Sequence, residues 1–310
     1  MYRGKKVAAV VPAYKEQDHI ARVITTMPDT VDIIVVVDDC SPDETFQRAT
    51  ETNDPRLTVI RLEENQGVGG AILTAHRSAM EQGSDINVVF AGDGQMDPDY
   101  LPDLLDPIID EGYGFTKANR FYSSSSFSGM PKYRVFGNIV LSFMNKMASG
   151  YWHLFDPQNG YTATTTDVLR RLDFDRIAKR YEFENDFLMQ LNILNVRAKD
   201  IPIPAVYGNE TSTIKLSKVV PALLRLMTKG FFRRIMLKYV IGTFSPIALF
   251  LFSGSILLLW SLLFGIWVLV ETLGEPVAST GTVLLCVAPF LVGFQLVLTA
   301  FQLDIAASPD

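Results

Sequence analysis

Polar side chains that suit a nucleotide or a metal ion follow three apolar, β-branched runs of the chain. The runs span residues 7–11, 33–37 and 87–91. The polar residues after them are Tyr14, Glu16, Asp38, Asp39, Asp93 and Gln95, and Pro12 directly follows the first run. Carboxylates and amides bind ribose hydroxyls, base N–H groups and a divalent cation that bridges phosphates. One Asp at such a place is more often a turn residue or a helix cap. Three such places together favour a binding site.

The elements that must position these side chains alternate along the chain. Apolar runs predict strands at residues 7–11, 33–37, 57–62 and 87–91, and helical patterns lie at 16–27 and 67–82. This alternation predicts an α/β fold with an open, mainly parallel, Rossmann-like sheet. Because ligands of such sheets bind beyond the carboxyl ends of the strands, we expect the three polar segments to converge on one edge.

Two uncharged apolar runs lie towards the C-terminus. Ile247–Val270 has 24 residues and Val283–Leu303 has 21. At 1.5 Å per helical residue, either run can cross a hydrocarbon core of about 30 Å. A pair of buried helices in a soluble core is the alternative. The short Gly- and Pro-containing stretch that separates the runs favours a transmembrane hairpin, with spans at about 247–270 and 283–303.

The charges are divided unevenly along the chain. Residues 1–210 hold 21 Lys and Arg against 30 Asp and Glu, while residues 211–238 hold seven Lys and Arg and no acid. No Lys or Arg follows Lys238. The positive-inside rule then predicts that the large N-terminal domain and the C-terminal tail lie in the cytoplasm. Only five consecutive apolar residues precede Pro12, too few for a signal peptide, so an exported domain is not expected.

The basic stretch has an amphipathic pattern. Apolar and basic residues interleave at helical spacing from Leu216 to Val240, and breaks are expected near Pro221 and Gly230. This predicts one or two helices on an anionic membrane surface over residues 215–242. An ordinary surface helix of the domain is the alternative.

Four segments together resemble a known family. They are Val-Pro-Ala-Tyr-Lys-Glu at residues 11–16, Val-Asp-Asp-Cys-Ser-Pro-Asp at 37–43, Asn-Gln-Gly at 65–67 and Asp-Gly-Gln-Met-Asp-Pro at 93–98. In this order they resemble GT-A glycosyltransferases of family 2, and within it the dolichyl- and other polyprenyl-phosphate glycosyltransferases. The resemblance covers about residues 5–215. It implies a GT-A fold, a divalent cofactor (Mg²⁺ or Mn²⁺), and inverting transfer of a hexose from a UDP- or GDP-sugar to a polyprenyl phosphate.

The resemblance also implies roles for the donor-side residues. Pro12, Tyr14 and Glu16 would line the base pocket, and Asp38 and Asp39 would contact the donor, with Asp39 on the nucleoside. The metal ligands would be Asp93 and Gln95. Many relatives carry the first Asp of the metal motif where this chain has Ala91. Metal coordination would therefore depend on Asp93, Gln95, water and the donor's phosphates.

The implied acceptor side consists mainly of cations. Arg120 and Arg134, with Asn138 one helical turn after Arg134, match positions that bind the lipid phosphate, and Lys215 stands in for a further cation of that site. A surface ion pair is the alternative for each Arg. A phosphate monoester with a second pKa of about 6 is already anionic. Its attack needs no general base, and an arginine clamp with a metal ion can hold two anionic groups together.

Three acids are further candidates on this side. Asp156 belongs to a segment that resembles the family's acceptor loop, although Asp-Pro and Asn-Gly are also common turn sequences. Glu184 and Asp186 are reserve candidates for a general base. They are equally explained as acids at a helix start, where the helix dipole favours negative charge.

The predicted protein has three parts: a cytoplasmic catalytic domain (1–214), interface helices (215–242) and a transmembrane hairpin (243–310). Its predicted partners are a nucleotide-sugar, a polyprenyl phosphate and the membrane, with no nucleic acid; a homo-oligomer is left open. One alternative is a family 2 enzyme with another membrane or glycan acceptor, although the chain lacks the Gln-x-x-Arg-Trp motif of processive synthases. Another is a non-catalytic nucleotide-sugar-binding subunit, for which Ala91 is the one hint.

Overall fold

The computed structural model describes residues 1–120, 132–156, 159–204, 216–273 and 277–310. Contacts among these residues define two compact units. The first comprises residues 1–231 with 309–310, and the second comprises residues 232–308. The three parts predicted from the sequence were defined by their relation to a membrane, which contacts among these residues do not test. Their boundaries therefore stay predictions.

The first unit contains a seven-stranded sheet in the order β3-β2-β1-β4-β6-β5-β7. The strands are β1 (Val7–Ala13), β2 (Ile33–Asp38), β3 (Leu57–Arg61), β4 (Ile86–Val89), β5 (Phe115–Asn119), β6 (Thr162–Thr165) and β7 (Ala198–Pro202). Strand β1 pairs in parallel with β2 and β4, and β2 pairs in parallel with β3. Strand β6 runs antiparallel between β4 and β5, and β7 runs parallel to β5. The predicted mainly parallel α/β sheet is confirmed.

Helices connect and cover these strands. They are α1 (Ile20–Thr25), α2 (Thr45–Glu51), α3 (Val68–Glu81), α4 (Leu101–Asp110), α5 (Lys132–Ser149), α6 (Thr166–Arg171), α7 (Phe183–Ile193), α8 (Leu216–Arg234), α9 (Pro246–Thr272) and α10 (Thr280–Ala306). Short 3₁₀ turns lie at Pro98–Tyr100 and Phe174–Arg176, and a π-helix follows α8 at Ile235–Ile241.

The central strands are buried on both faces. Val7, Ala9 and Val11 of β1 belong to the apolar cluster on one side of the sheet, and Ala8 and Val10 belong to the cluster on the other side. Successive side chains of a strand point to opposite faces, so a strand covered by helices on both sides is apolar throughout. The polar segments then begin where each strand leaves these two layers.

Helix α8 does not break where the sequence pattern predicts. It continues through both Pro221 and Gly230. A side-chain carbon at Gly230 would overlap the sulfur of Met189, so this glycine permits close packing on α7. Leu223 and Met227 are buried beyond the proline. Burial of these two side chains stabilises the helix and offsets the loss of the backbone hydrogen bond that a proline cannot make.

The second unit is built on α9 and α10. Both are 27 residues long, and each contains an 18-residue stretch with a mean hydropathy of 2.3, so they are long and apolar enough to cross a membrane. Their backbones meet at glycines: a Cβ atom on Gly254 would lie 2.8 Å from the carbonyl oxygen of Gly293. Ser261 Oγ also donates to the carbonyl oxygen of Cys286 at 2.7 Å. Small residues that allow such close approach are typical of membrane helix pairs.

Two of the cations of the basic stretch whose side chains the structure describes are buried in this unit. They are Arg234 and Lys238. Arg234 donates to both carboxylate oxygens of Asp304, at 2.6 and 3.0 Å, and the Tyr239 hydroxyl donates to one of them at 2.6 Å. A buried charge requires such partners. Arg234 and Lys238 therefore make contacts within the protein, and the prediction of interface helices over residues 215–242 stays a prediction.

Candidate functional site

A cleft of about 340 Å³ opens at the carboxyl ends of β1, β2 and β4. Its lining residues are Pro12, Ala13, Tyr14, Glu16, Asp39, Asn65, Gly67, Val68, Ala71, Ala91, Gly92, Asp93, Arg180 and Tyr181. The structure thus brings the three polar segments of the sequence to one edge of the sheet. Arg180 and Tyr181, which also line the cleft, lie in the segment before α7 and were not predicted.

Adjacent acids at the end of β2 take different positions. Asp39 lines the cleft, and its two carboxylate oxygens accept from the backbone N–H groups of Gln66 at 2.7 Å and Gly67 at 2.8 Å. Asp38 is fully buried elsewhere: it accepts from the Ser41 N–H at 3.2 Å and lies 3.4 Å from Arg61 Nε. Burial raises the pKa of Asp39 more than the two hydrogen bonds and Arg180 lower it. Of this predicted pair, only Asp39 reaches the cleft.

The end of β1 is linked to the loop after β2. The Lys15 N–H donates to Ser41 Oγ at 3.1 Å, and the Glu16 N–H donates to Thr45 Oγ1 at 2.8 Å. Lys15 has a φ of 63°, which turns the chain sharply after the strand. This turn places Tyr14 and Glu16 at the cleft, where Tyr14 is 44 % exposed.

The segment after β4 carries the predicted metal ligands. Asp93 lines the cleft, and its Oδ1 accepts from the Gln95 N–H at 2.9 Å across a turn at Gly94, whose φ is 73°. Gly92 lies against β1, since a Cβ there would be 3.0 Å from the carbonyl oxygen of Pro12. Asp97 caps the following 3₁₀ turn through the Asp99 N–H. Asp93 is therefore the carboxylate of this motif that faces the cleft.

The first predicted acceptor cation is held by an acid. Arg120 donates through Nε and Nη2 to the two carboxylate oxygens of Asp156, at 2.7 and 2.9 Å. Asp156 is buried, with a φ of 34°. Burial alone would raise the pKa of Asp156, but Arg120 and Lys117 outweigh it and lower that pKa. The two predicted residues thus form one ion pair, which fixes the direction of the guanidinium.

A buried lysine that the sequence analysis did not select supports this pair. Lys117 of β5 is 1 % exposed. Its Nζ donates to the carbonyl oxygens of Phe155 and Asp156 and lies 3.5 Å from Asp200 Oδ1. Asp200 also accepts from the Phe155 N–H. A lysine in the middle of the strand sequence Phe-Thr-Lys-Ala-Asn was the available signal.

The other residues predicted to bind the acceptor phosphate have side chains outside the described part of the structure. Arg134 and Asn138 lie on the backbone of α5, but their side chains are outside the described residues. Lys215 lies outside the described residues altogether, as do the Ser123–Ser126 run and residues 157–158. The predicted grouping of Arg120, Arg134 and Lys215 stays a prediction.

The two reserve acids stand in the first turn of α7. Asp186 is buried and accepts from the Ala178 N–H at 2.9 Å, which fastens the preceding segment. Glu184 borders a small interior cavity of about 20 Å³ together with Lys117, Asn159 and Thr162. Burial raises the pKa of Glu184 to about 7. Neither acid is among the residues that line the larger cleft.

Together the fold and the cleft define an α/β protein with a cleft at the carboxyl edge of a mainly parallel sheet, the edge at which sheets of this kind bind their ligands. The chain belongs to glycosyl transferase family 2, whose family model matches residues 8–173. The predicted family and its GT-A type of fold are confirmed.

Two curated relatives and one solved structure illustrate this membership. The UDP-N-acetylglucosamine–dolichyl-phosphate N-acetylglucosaminyltransferase of Methanococcus voltae is 30 % identical over 76 % of this chain and 96 % of its own. The undecaprenyl-phosphate mannosyltransferase of Micrococcus luteus is 29 % identical over 65 % of this chain and 84 % of its own. Glucosyl-3-phosphoglycerate synthase of Mycobacterium tuberculosis, solved with Mn²⁺, UDP-glucose and phosphoglyceric acid, shares the fold, with a TM-score of 0.53 at 21 % identity over 74 % of this chain and 80 % of its own.

Proposed function

We propose that this chain transfers a hexose from a UDP- or GDP-sugar to a polyprenyl phosphate at a membrane. The observation that carries the proposal is the cleft that Asp39 and Asp93 both line at the carboxyl edge of a family 2 sheet. The names of the Methanococcus and Micrococcus relatives support a dolichyl or undecaprenyl phosphate as acceptor. The two apolar 27-residue helices would keep the enzyme beside a lipid substrate.

On the donor side, the base and ribose would lie against the segment after β1 and against Asp39. Tyr14 offers an exposed ring, and Pro12 and Glu16 border the same space. A carboxylate has about four acceptor positions. The two backbone donors that hold Asp39 therefore leave capacity for a base N–H or a ribose hydroxyl.

The residues present fit a divalent cation held jointly with the donor. Among the described residues, no group of three His, Cys, Asp or Glu side chains is placed to hold a metal ion. Asp93 and Gln95 nevertheless offer the hard oxygen ligands that Mg²⁺ and Mn²⁺ prefer, and Mg²⁺ commonly binds through one or two carboxylates, water and substrate phosphates. When bound, the cation supplies positive charge to the departing diphosphate.

The acceptor phosphate would be bound by Arg120, oriented by Asp156, with Arg134, Asn138 and Lys215 as its proposed neighbours. A phosphate oxygen attacks the anomeric carbon, the bond from that carbon to the donor's diphosphate breaks, and the nucleoside diphosphate leaves with the electron pair. Direct displacement inverts the anomeric configuration. Because the nucleophile is already anionic, positioning by cations replaces a general base.

The proposed membrane arrangement follows the charge distribution. We place the domain of residues 1–214 and the C-terminal tail in the cytoplasm, residues 215–242 at the interface, and residues 243–310 across the bilayer. The excess of cations before α9 and their absence after Lys238 support this orientation.

An acceptor panel tests the proposal. Purified full-length protein is incubated with UDP- and GDP-sugars, Mg²⁺ or Mn²⁺, and a short polyprenyl phosphate, a polyprenyl diphosphate sugar or a glycan. We expect transfer to the monophosphate. Transfer only to another acceptor would favour a different family 2 activity. Donor binding without any transfer or hydrolysis would favour a non-catalytic subunit.

A further inference from the structure

The side chains that line the cleft carry more negative than positive charge, and a diphosphate ligand is itself negative. Among the described residues that line the cleft, Glu16, Asp39 and Asp93 are acids and Arg180 is the one cation. A nucleotide-sugar brings two further negative charges in its diphosphate. One divalent cation at Asp93 leaves this region short of positive charge, and Arg180 is the lining side chain that can supply it.

The glycine-rich start of α3 would ordinarily be the first candidate for phosphate binding. Glycines and exposed N–H groups at a helix N-terminus form anion sites in many proteins. Here the Gln66 and Gly67 N–H groups donate to Asp39, and the Gly70 N–H donates to the carbonyl oxygen of Lys179 at 3.1 Å. Two N–H groups just before α3 and one in its first turn are therefore already engaged within the protein.

These glycines instead allow close approach of the segment that carries Arg180. A Cβ on Gly67 would lie 2.8 Å from the Lys179 carbonyl oxygen and 2.9 Å from Arg180 Cγ, and Gly67 has a φ of 88°. A Cβ on Gly69 would lie 2.7 Å from the Phe183 ring. Lys179 Nζ also donates to Gln66 Oε1 at 3.2 Å. The stem of Arg180 is thus seated on the helix start.

The head of Arg180 remains at the cleft surface. Its Nη2 donates to the Asn65 carbonyl oxygen at a long 3.4 Å, and the residue is exposed. The guanidinium is close enough to Asp39 to oppose the rise that burial causes in the pKa of that carboxyl. A planar guanidinium with several N–H donors binds phosphate oxygens in a bidentate manner.

We propose that Arg180 binds the donor's diphosphate, and that the close packing of Gly67 and Gly69 against residues 179–183 holds Arg180 in position for this contact. This assignment rests on the proposed function, because it names a contact within the same donor site. It adds a cation that none of the predicted motifs contains.

Binding measurements on full-length protein test the assignment. Uridine, UMP and UDP, and the guanosine series, are titrated calorimetrically with Mn²⁺ into wild type, Arg180→Gln and Arg180→Lys. For the base that wild type prefers, Arg180→Gln should lower diphosphate affinity about 10- to 150-fold, as expected for one charge-assisted hydrogen bond. Nucleoside affinity should not change, and Arg180→Lys should fall between. Arg176→Gln is the matched control, because Arg176 is an exposed cation paired with Asp173 outside the cleft.

The outcomes separate the two proposals. If wild type binds UDP or GDP and Arg180→Gln binds it equally well, the assignment of Arg180 is wrong and the proposed function stands. If Arg180→Gln weakens the nucleoside as much as the diphosphate, Arg180 acts on the base pocket and the assignment is again wrong. If wild type binds neither diphosphate, both proposals fail.

Discussion

Asp39 is engaged by the protein before any ligand arrives. Two backbone N–H groups hold its carboxylate in one orientation, and Arg180 lies near enough to influence its charge. Asp38, one residue earlier, is buried against Arg61 and Ser41 because successive strand residues point to opposite faces. At the residue scale, position along the strand decides which acid can meet a nucleoside.

Asp93 is expected to be indispensable because Ala91 removes the usual second carboxylate. Asp93→Asn should lower turnover about 100-fold or more, since an amide is a poorer ligand for a hard cation and electrostatic stabilisation of a leaving group is of this size. Turnover and metal titration of the variant measure the effect. Asp97→Asn is the control, because Asp97 caps a turn and its amide form can still accept from the Asp99 N–H. Ala91→Asp should be tolerated. Near-normal turnover of Asp93→Asn, or full activity in EDTA, would show that Asp93 is not the metal ligand.

Glu184 should make stability depend on pH. Burial raises its pKa from 4.5 to about 7, so over this interval the unfolded chain loses a proton that the folded chain keeps. The free energy of unfolding contributed by this group therefore falls as pH rises from 4.5 to about 7 and is level above. Glu184→Gln should flatten this slope in urea unfolding series, while Glu182→Gln, outside the cavity, should keep it. An unchanged slope in Glu184→Gln would contradict the assigned pKa.

At the scale of elements, β5 and β7 hold the loop that carries Asp156. Lys117 fixes two carbonyl oxygens of this loop, and Asp200 accepts from its backbone at Phe155. Burial raises the pKa of Asp200, so its carboxylate depends on the lysine nearby. Asp156, at the end of this chain of contacts, orients Arg120.

Lys117→Met should therefore destabilise the first unit by about 3–5 kcal/mol, because it leaves an unpaired buried charge. Lys199→Met is a matched control in β7: Lys199 is 36 % exposed and paired with Glu111, so about 0–1 kcal/mol is expected. Urea unfolding followed by Trp152 fluorescence, with Trp260 and Trp267 replaced by Phe, reports on this unit. Equal losses in the two variants would mean that the buried contacts of Lys117 do not stabilise the loop.

The elements nearest the cleft were the most predictable from sequence. Apolar runs located β1 to β4 within about two residues, because buried parallel strands are apolar throughout. The helix predicted from Glu16 begins only at Ile20, since the chain first turns at Lys15. Strands β5, β6 and β7 were not predicted, and β6, with the sequence Thr-Ala-Thr-Thr, has no apolar run at all.

The site was partly predictable for the same reason. Asp39 and Asp93 could be predicted because each follows a predicted strand. Arg180 could not, because it reaches the cleft through tertiary packing on α3, which no local sequence pattern indicates. The interruption expected at Gly230 was wrong because packing on Met189, not local propensity, explains that glycine. Sequence patterns therefore located the first four strands and their ends, and contacts between distant segments supplied the rest.

At the scale of the whole molecule, α9 and α10 predict an integral membrane protein. Their apolar length and their close contact at Gly254 and Gly293 suit a hairpin in lipid. Carbonate washing should leave the full-length protein in the membrane fraction. Protease added outside intact cells should leave the N-terminal domain intact, whereas protease added to opened cells should digest it. Release by carbonate, or digestion from outside, would contradict the proposed topology.

The most direct test of the central claim is the structure of the reaction product. Full-length protein in detergent is incubated with the nucleotide-sugar that it binds, a divalent cation and a short polyprenyl phosphate, and the lipid product is analysed by mass spectrometry and NMR. The account predicts a phosphodiester that joins the anomeric carbon of the sugar to the lipid phosphate, with inverted configuration and one nucleoside diphosphate released per transfer. Nucleotide-sugar binding without this product, or a product with retained configuration, would contradict it.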